Sequence, residues 1–254
     1  MTKIAVASLG CSKNLVDTEN MLGIIQKNGC EIVSDESLAD IIIVNTCCFI
    51  NDAKQESIDT ILDVAQWKTE GCCKKLIVTG CLAQRYKDEI LRELPEVDAV
   101  VGVGHISDII SVINGEASLL CEKSYSHPLS QRVLLTPQYS AYLKIADGCD
   151  NFCTYCVIPS VRGGFNSRSI EDITNEAVLL AENGTKELII IAQDTTSYGI
   201  DRYGRVMLVP LLKELCKIDK IEWIRLHYCY PERITDELID LIANEGKICN
   251  YFDI

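Results

Sequence analysis

Short apolar, β-rich runs alternate with amphipathic stretches along almost the whole chain, and this alternation leaves few folds open. Residues 4–9 precede 15–27, 41–44 precede 52–67, 76–78 precede 86–94, and 99–101 lead into 106–113. Each pair reads as a strand followed by a helix, and serial βαβ units predict an open parallel sheet with helices on both faces. Residues 115–138 mix Ser, Pro and charge with little periodicity, the composition of a linker. The alternation then resumes: a strand at 141–146, a cysteine loop, a helix at 170–183, a strand at 187–192, a helix at 208–217, a strand at 223–226 and a helix at 235–244. Residues 251–254 read as the opening of a further strand. Because a strand needs neighbours to complete its hydrogen bonds, such an end suggests a piece of a longer barrel-like domain. The resulting division is a first domain at 1–116, a linker at 117–138 and a second, partial domain at 139–254.

Composition narrows the setting. Apolar residues make up 48% of the chain, yet the longest runs, 41–44 and 188–192, are strand-length, far below the ~20 residues of a membrane helix. The first run, 4–9, is too short for the core of a signal peptide. A soluble, cytoplasmic protein is expected. Fourteen cysteines in such a chain are hard to assign to disulfides, because the cytosol keeps thiols reduced; metal or redox chemistry gains weight. A formal charge of −13 opposes broad contact with phosphate backbones and favours a neutral or basic partner.

The sharpest local pattern is Gly148-Cys149-Asp-Asn-Phe-Cys153-Thr-Tyr-Cys156, a C-x3-C-x2-C loop just after an expected strand. Such a loop can place three thiolates on three irons of a 4Fe-4S cube and leave the fourth iron without a protein ligand. That open iron can chelate the amino and carboxylate groups of S-adenosylmethionine, and an electron from the cube can split the sulfonium. A zinc site would call for a fourth cysteine or histidine at matching distance, and the following segment offers none. A second set is dispersed: Cys11 after the first strand, Cys47 after the run at 41–44, and Cys81 after 76–78. All three stand where a parallel strand ends. Carboxyl ends of strands in an open α/β sheet share one edge, where ligands bind, so these thiols can converge on a second cluster although far apart in sequence. Three buried structural cysteines would not require the same topological place each time. The remaining eight, Cys30, Cys48, Cys72, Cys73, Cys121, Cys216, Cys229 and Cys249, read as small apolar side chains or incidental surface thiols, Cys48 pointing opposite to Cys47 if strand alternation persists.

Across nearly its whole length the chain resembles the radical S-adenosylmethionine methylthiotransferases. Ser8-Leu-Gly-Cys11-Ser-Lys-Asn-Leu-Val-Asp-Thr-Glu19 looks like the ribosomal-protein branch of that family, whereas the tRNA-modifying branch typically has Gln-Met-Asn after the cysteine. Ala192-Gln-Asp-Thr-Thr-Ser-Tyr-Gly199 and Arg225-Leu-His-Tyr-Cys-Tyr-Pro231 follow the same branch. The resemblance implies a flavodoxin-like N-terminal domain followed by an incomplete radical SAM partial (βα) barrel. It implies Cys11, Cys47 and Cys81 as ligands of an auxiliary 4Fe-4S cluster, and Cys149, Cys153 and Cys156 as ligands of the radical cluster. The family reaction is β-methylthiolation of an aspartate in ribosomal protein S-twelve. One S-adenosylmethionine supplies methyl to cluster-associated sulfur and another yields the radical that takes hydrogen from the β-carbon; a reducing electron donor and a sulfur donor are further partners. By analogy Tyr155 lies near the adenine, and Gln193, at the end of a barrel strand, falls where cofactor contacts gather. Family members continue into the rest of the barrel and a TRAM domain, so the chain reads as C-terminally truncated.

Other features have plainer readings. His105, His127 and His227 lack a ligand spacing and read as surface, linker and strand-end residues. Gly102-x-Gly104 is too short for a dinucleotide fingerprint, and there is no Ser-centred elbow or P-loop. Two rival functions remain open. One is methylthiolation of tRNA, which needs a basic, salt-sensitive surface although this fragment leads one to expect no direct nucleic-acid binding. The other is an inactive iron-sulfur binding fragment.

Overall fold

Residues Ile41–Thr46 are buried at every position, which an isoleucine-rich strand achieves only in the middle of a parallel sheet covered on both faces. In the computed structural model, which describes residues 1–122 and 132–254, this run is the third strand of such a sheet. His127 and part of the stretch 117–138 lie outside the described residues. The chain divides into two units, Met1–Val133 with Cys153–Gly163, and Leu134–Phe152 with Gly164–Ile254.

The first unit runs β1 (Lys3–Ser8), α1 (Ser12–Lys27), β2 (Glu31–Ile32), β3 (Ile41–Thr46), α2 (Asn51–Ala65), α3 (Trp67–Glu70), β4 (Lys75–Gly80), α4 (Cys81–Glu93), β5 (Ala99–Val101), α5 (Ile109–Ile113) and β6 (Leu119–Leu120), with α6 (Ile158–Arg162) joining from further along the chain. The strands lie in the order β2-β1-β3-β4-β5-β6 and every adjacent pair is parallel. This is the flavodoxin-like arrangement, whose winding reverses between β1 and β3. Alternate side chains feed two cores. Ile42, Val44, Leu76 and Val78 pack with Ile61 of α2 and Leu82 of α4, while Ile43 and Ile77 pack with Met21 and Ile25 of α1 and Ile109 of α5. Register sets the level at which the strands end: Ser8 pairs with Asn45, and Asn45 with Thr79. The chain therefore leaves β1, β3 and β4 at one level of one edge.

The second unit holds β7 (Ser140–Lys144), β8 (Ala146–Asp147), β9 (Asn166–Ser167), α7 (Ile170–Glu182), β10 (Glu187–Ile191), α8 (Ile200–Tyr203), α9 (Leu208–Cys216), β11 (Trp223–Leu226) and α10 (Asp236–Asn244). β7, β10 and β11 form a parallel sheet in sequential order, the arrangement of an opening (βα) barrel. Leu143, Leu188 and Ile190 pack against Ala177 of α7 and Leu212 of α9.

Several expectations are corrected. The run at 141–146 divides at Ile145, and its end pairs antiparallel with β9 as a small ribbon. α4 starts at Cys81, five positions before the expected helix, because a kink at Tyr86 (φ −123°, ψ 29°) separates its first turn from the amphipathic stretch. Residues 251–254 are not a strand. Tyr251 N–H donates to Cys249 O at 2.8 Å, a tight local turn that uses the donor a ladder would need, and the neighbour of β11 is Ile248, which bridges Ile224. His105 is half-buried rather than a free surface residue: its side chain is 14% exposed, with Nδ1 on Asp108 and Nε2 on the Glu122 carbonyl. Among the described residues no helix is long and apolar enough to cross a membrane.

Candidate functional site

Cys11 is the N-cap of α1, Cys47 directly follows β3, and Cys81 opens α4 directly after β4. Since β1, β3 and β4 are consecutive neighbours that end in register, the sheet brings these three thiols to one edge, beside the reversal of winding. Two of them stand at helix N-termini.

Glycines make the close approach possible. Gly10 has φ +86°, and a Cβ there would fall 2.6 Å from Cys47 Cβ and 3.0 Å from its Sγ, so the first loop passes against the second only without a side chain. Gly80 has φ +93°, with the place of its Cβ 2.3 Å from Asn45 Oδ1. The Cys47 backbone is clamped by Ser57 of α2, whose hydroxyl accepts from Cys47 N–H at 3.0 Å and donates to Cys47 O at 2.9 Å.

One side chain joins all three loops. Asn14, fully buried in the first turn of α1, donates from Nδ2 to Leu9 O at 3.2 Å and to Thr46 O at 2.8 Å. Its Oδ1 accepts from the Cys81 thiol at 3.7 Å and from Arg162 Nη2 at 2.6 Å. Asn45 donates to Asn14 O and to Thr18 Oγ1, fixing the turn that carries Asn14. Burial pushes the Cys81 thiol up to about 12, against the opposing pull of Arg162. Cys48 is also raised by burial, with Arg85 opposing. β3 ends at Thr46, so strand alternation does not govern this dipeptide; Cys48 lies in the core that also holds Cys81.

Among the described residues no three Cys, His, Asp or Glu side chains close around the position of a single metal ion. A cluster asks for something wider, because its three thiolates sit on three different irons. Level strand ends, a soft all-sulfur donor set and the space kept by Gly10 fit a cluster better than a lone ion.

The sequence-local triad begins at Cys149, buried in the second unit after β8. Asn151 N–H points at its sulfur, 3.5 Å away, and Asn151 Nδ2 donates to Asp194 Oδ2 at 3.0 Å. Asp194 also accepts from Thr196 and Ser197 and pairs with Arg233 at 2.9 Å. It thus ties the cysteine loop to the residues that follow β10 and β11. Cys149, Asn151, Asp194, Ser197, Asp201 and Arg233 border a cavity of about 190 Å³. Phe152 has φ +47°, a left-handed conformation that costs a non-glycine residue roughly 1 kcal/mol. Cys153 and Cys156 belong to the segment grouped with the first unit, where Cys156 N–H closes a turn onto Cys153 O at 2.9 Å. Tyr155 is 82% exposed. Gln193 follows β10 and donates to Asp147 Oδ1 at 2.8 Å, while its Oε1 is buried without a hydrogen-bond partner among the described residues. An orphaned buried acceptor at a barrel strand end fits a ligand that brings a donor.

Sequence reasoning missed Asn14, Asp194 and Arg162. Asn14 had one signal, its place three residues after Cys11; Arg162 had none, since its partners lie some 148 and 145 positions away.

Residues 3–102 match the family model described as Uncharacterized protein family UPF0004, and residues 143–254 match the Radical SAM superfamily. A ribosomal protein uS12 methylthiotransferase RimO from Lachnoclostridium phytofermentans is 55% identical over 99% of this chain and 59% of its own length. One of the same description from Clostridioides difficile is 54% identical over 100% of the chain and 59% of its length. The chain thus spans about three fifths of the length of these relatives. Among solved structures, the radical S-adenosylmethionine methyltransferase TsrM from Kitasatospora setae matches with a TM-score of 0.63 at 13% identity, over 96% of this chain and 57% of that one. The cobalamin-dependent S-adenosylmethionine radical enzyme OxsB matches at 0.55 and 13%, over 96% and 41%; at such identity these two show the fold alone. With both family models in sequence and relatives more than half identical along nearly every residue, the chain belongs to the radical S-adenosylmethionine methylthiotransferase family.

Proposed function

We propose that this chain is the cluster-bearing part of an enzyme that methylthiolates the β-carbon of an aspartate in ribosomal protein uS12. In this reading Cys149, Cys153 and Cys156 hold the cluster that binds S-adenosylmethionine, and Cys11, Cys47 and Cys81 hold a second 4Fe-4S cluster that carries sulfur. The observation that carries the reading is the level ending of β1, β3 and β4, each followed by a cysteine, in a chain that separately contains the C-x3-C-x2-C loop. When bound, the two groups supply one-electron cleavage of S-adenosylmethionine for hydrogen abstraction and a place to load methylated sulfur. The chain's own residues do the holding. Asp194 fixes Asn151 beside Cys149, Asn14 binds the three auxiliary loops together, and Gln193 offers its free acceptor to the cofactor. Tyr155, exposed beside Cys156, is available to the adenine. The ribosomal-protein motifs and the −13 charge favour a basic protein substrate over tRNA, and the reading takes the reaction to be cytoplasmic.

The test uses this chain and, in parallel, a full-length relative, reconstituted anaerobically with iron, sulfide and a low-potential reductant. About eight irons per chain are expected for two 4Fe-4S units; a folded preparation that saturates near four sinks the two-cluster reading. Cys153→Ala should abolish formation of 5'-deoxyadenosine. Cys47→Ala should leave that cleavage in place but yield no methylthiolated uS12 peptide. Modification of tRNA with uS12 untouched would move the chain to the other branch of the family.

A further inference from the structure

Arg162 ends α6, six positions beyond Cys156, and its side chain is 1% exposed. α6 is anchored in the first unit's core by Val161, with Val157 just before it. A buried guanidinium is costly unless its charge and donors are matched. Here Nη2 lies 3.0 Å from Asp17 Oδ2 and donates to Asn14 Oδ1 at 2.6 Å. That same amide oxygen accepts from the Cys81 thiol at 3.7 Å, so a single acceptor holds the guanidinium and the thiol side by side. The fold thus sets one fixed cation, excluded from water, at one corner of the three-cysteine edge.

We propose that Arg162 is a positioning residue that sets the reduction potential of the auxiliary cluster, its charge held at the Cys81 corner by Asn14 and balanced by Asp17. The inference rests on Cys11, Cys47 and Cys81 being that cluster's ligands. Reducing an iron-sulfur cluster adds negative charge, and potentials follow the local charge and the hydrogen bonds to sulfur. A desolvated positive charge favours the reduced state more strongly than a surface lysine would, because little water screens it. Asp17 acts with the opposite sign. Losing the cation and losing the anion must therefore move the potential in opposite directions.

The experiment isolates the auxiliary cluster by changing Cys149, Cys153 and Cys156 together to Ala, then follows its reduction by electron paramagnetic resonance during a redox titration, with iron measured for each preparation. The parent should bind about four irons; if it binds none, the ligand assignment itself has failed and the proposal falls with it. If it does bind them, Arg162→Met is expected to hold roughly tenfold less reduced cluster at a given potential, equivalent to about 59 mV for a one-electron couple. Asp17→Asn should shift the titration the other way, and Arg162→Lys should restore most of the parent's behaviour. A merely structural arginine would change iron content or stability while the remaining cluster titrated as in the parent. Unchanged midpoints, or midpoints that move the same way in Arg162→Met and Asp17→Asn, overturn the proposal. Should Arg162→Met hold no iron, the sign of the Asp17→Asn shift decides alone: upward supports the proposal, zero or downward ends it.

Discussion

At the scale of single residues, the strongest constraint on the three-cysteine edge is the absence of a side chain at Gly10. Adding one methyl places carbon 2.6 Å from Cys47 Cβ on a backbone already in the left-handed region, so the first two cysteine loops must separate. Gly10→Ala is therefore expected to lower iron content after reconstitution from about eight towards about four per chain, while 5'-deoxyadenosine formation persists; full iron loading would show that the loops have slack. A second residue tests the other unit. Tyr198 is fully buried and its hydroxyl donates to Arg168 O at 2.9 Å. Burial pushes its phenol far above the ordinary value. Tyr198→Phe leaves that carbonyl without its donor and should cost about 1–2 kcal/mol in urea unfolding with no new ionisation below pH 10. The common place of Cys11, Cys47 and Cys81 after neighbouring parallel strands was legible in the sequence, because each follows a β-rich run. Asn14 and Arg162 were not. Their roles come from groups that the fold brings together from distant parts of the chain, and no local pattern records such a meeting.

At the scale of elements, the central strands were readable because runs such as Ile41–Val44 leave a buried parallel strand as the natural reading. Boundaries were less so. Cys81 opens α4 where the amphipathic period has not yet begun, since the kink at Tyr86 resets the phase, and β8 pairs with β9 through two residues on each side, too few for a period to show. Helix starts carry their own signals. Ser169 Oγ accepts from Asp172 N–H at the head of α7, with Glu171 and Asp172 in the first turn. Ser169→Ala should destabilise the second unit by about 1 kcal/mol, measured as a shift in its urea midpoint, with Ser169→Asp recovering it. At the opposite edge of the first sheet, Asp40 aligns three strands: it accepts from Lys3 N–H at 2.9 Å, pairs with Lys74 Nζ at 2.8 Å, and takes Lys74 N–H on its carbonyl at 2.8 Å. The Lys3 N–H bond and then Lys74 hold its carboxyl below the usual 3.8. A depressed carboxyl contributes stability that is present above its unfolded value and lost as pH falls through the folded one. Asp40→Asn should accordingly remove part of the acid-induced loss of stability below about pH 4, read by comparing urea midpoints at pH 3 and pH 6; parallel curves for the two proteins would deny Asp40 that role.

At the scale of the whole molecule, topology was the most legible feature, because repeated βαβ units permit few sheets and the right-handed crossover rule removes most of those. What topology adds is a difference in time. The thiols of the C-x3-C-x2-C loop lie within eight residues of one another, a span whose ends meet within nanoseconds to microseconds in an open chain. Cys11, Cys47 and Cys81 become neighbours only when β1, β3 and β4 have paired in register, which demands closing two long loops first. Iron and sulfide offered to a refolding chain should therefore reach the two triads in sequence, with the local loop able to capture metal from an open polypeptide and the dispersed set receptive only after the sheet has formed. Interrupting reconstitution early would then leave chains with the first kind of site filled and the second still empty. In the cell, such a sheet would work as a checkpoint that withholds the second metal centre from chains not yet folded.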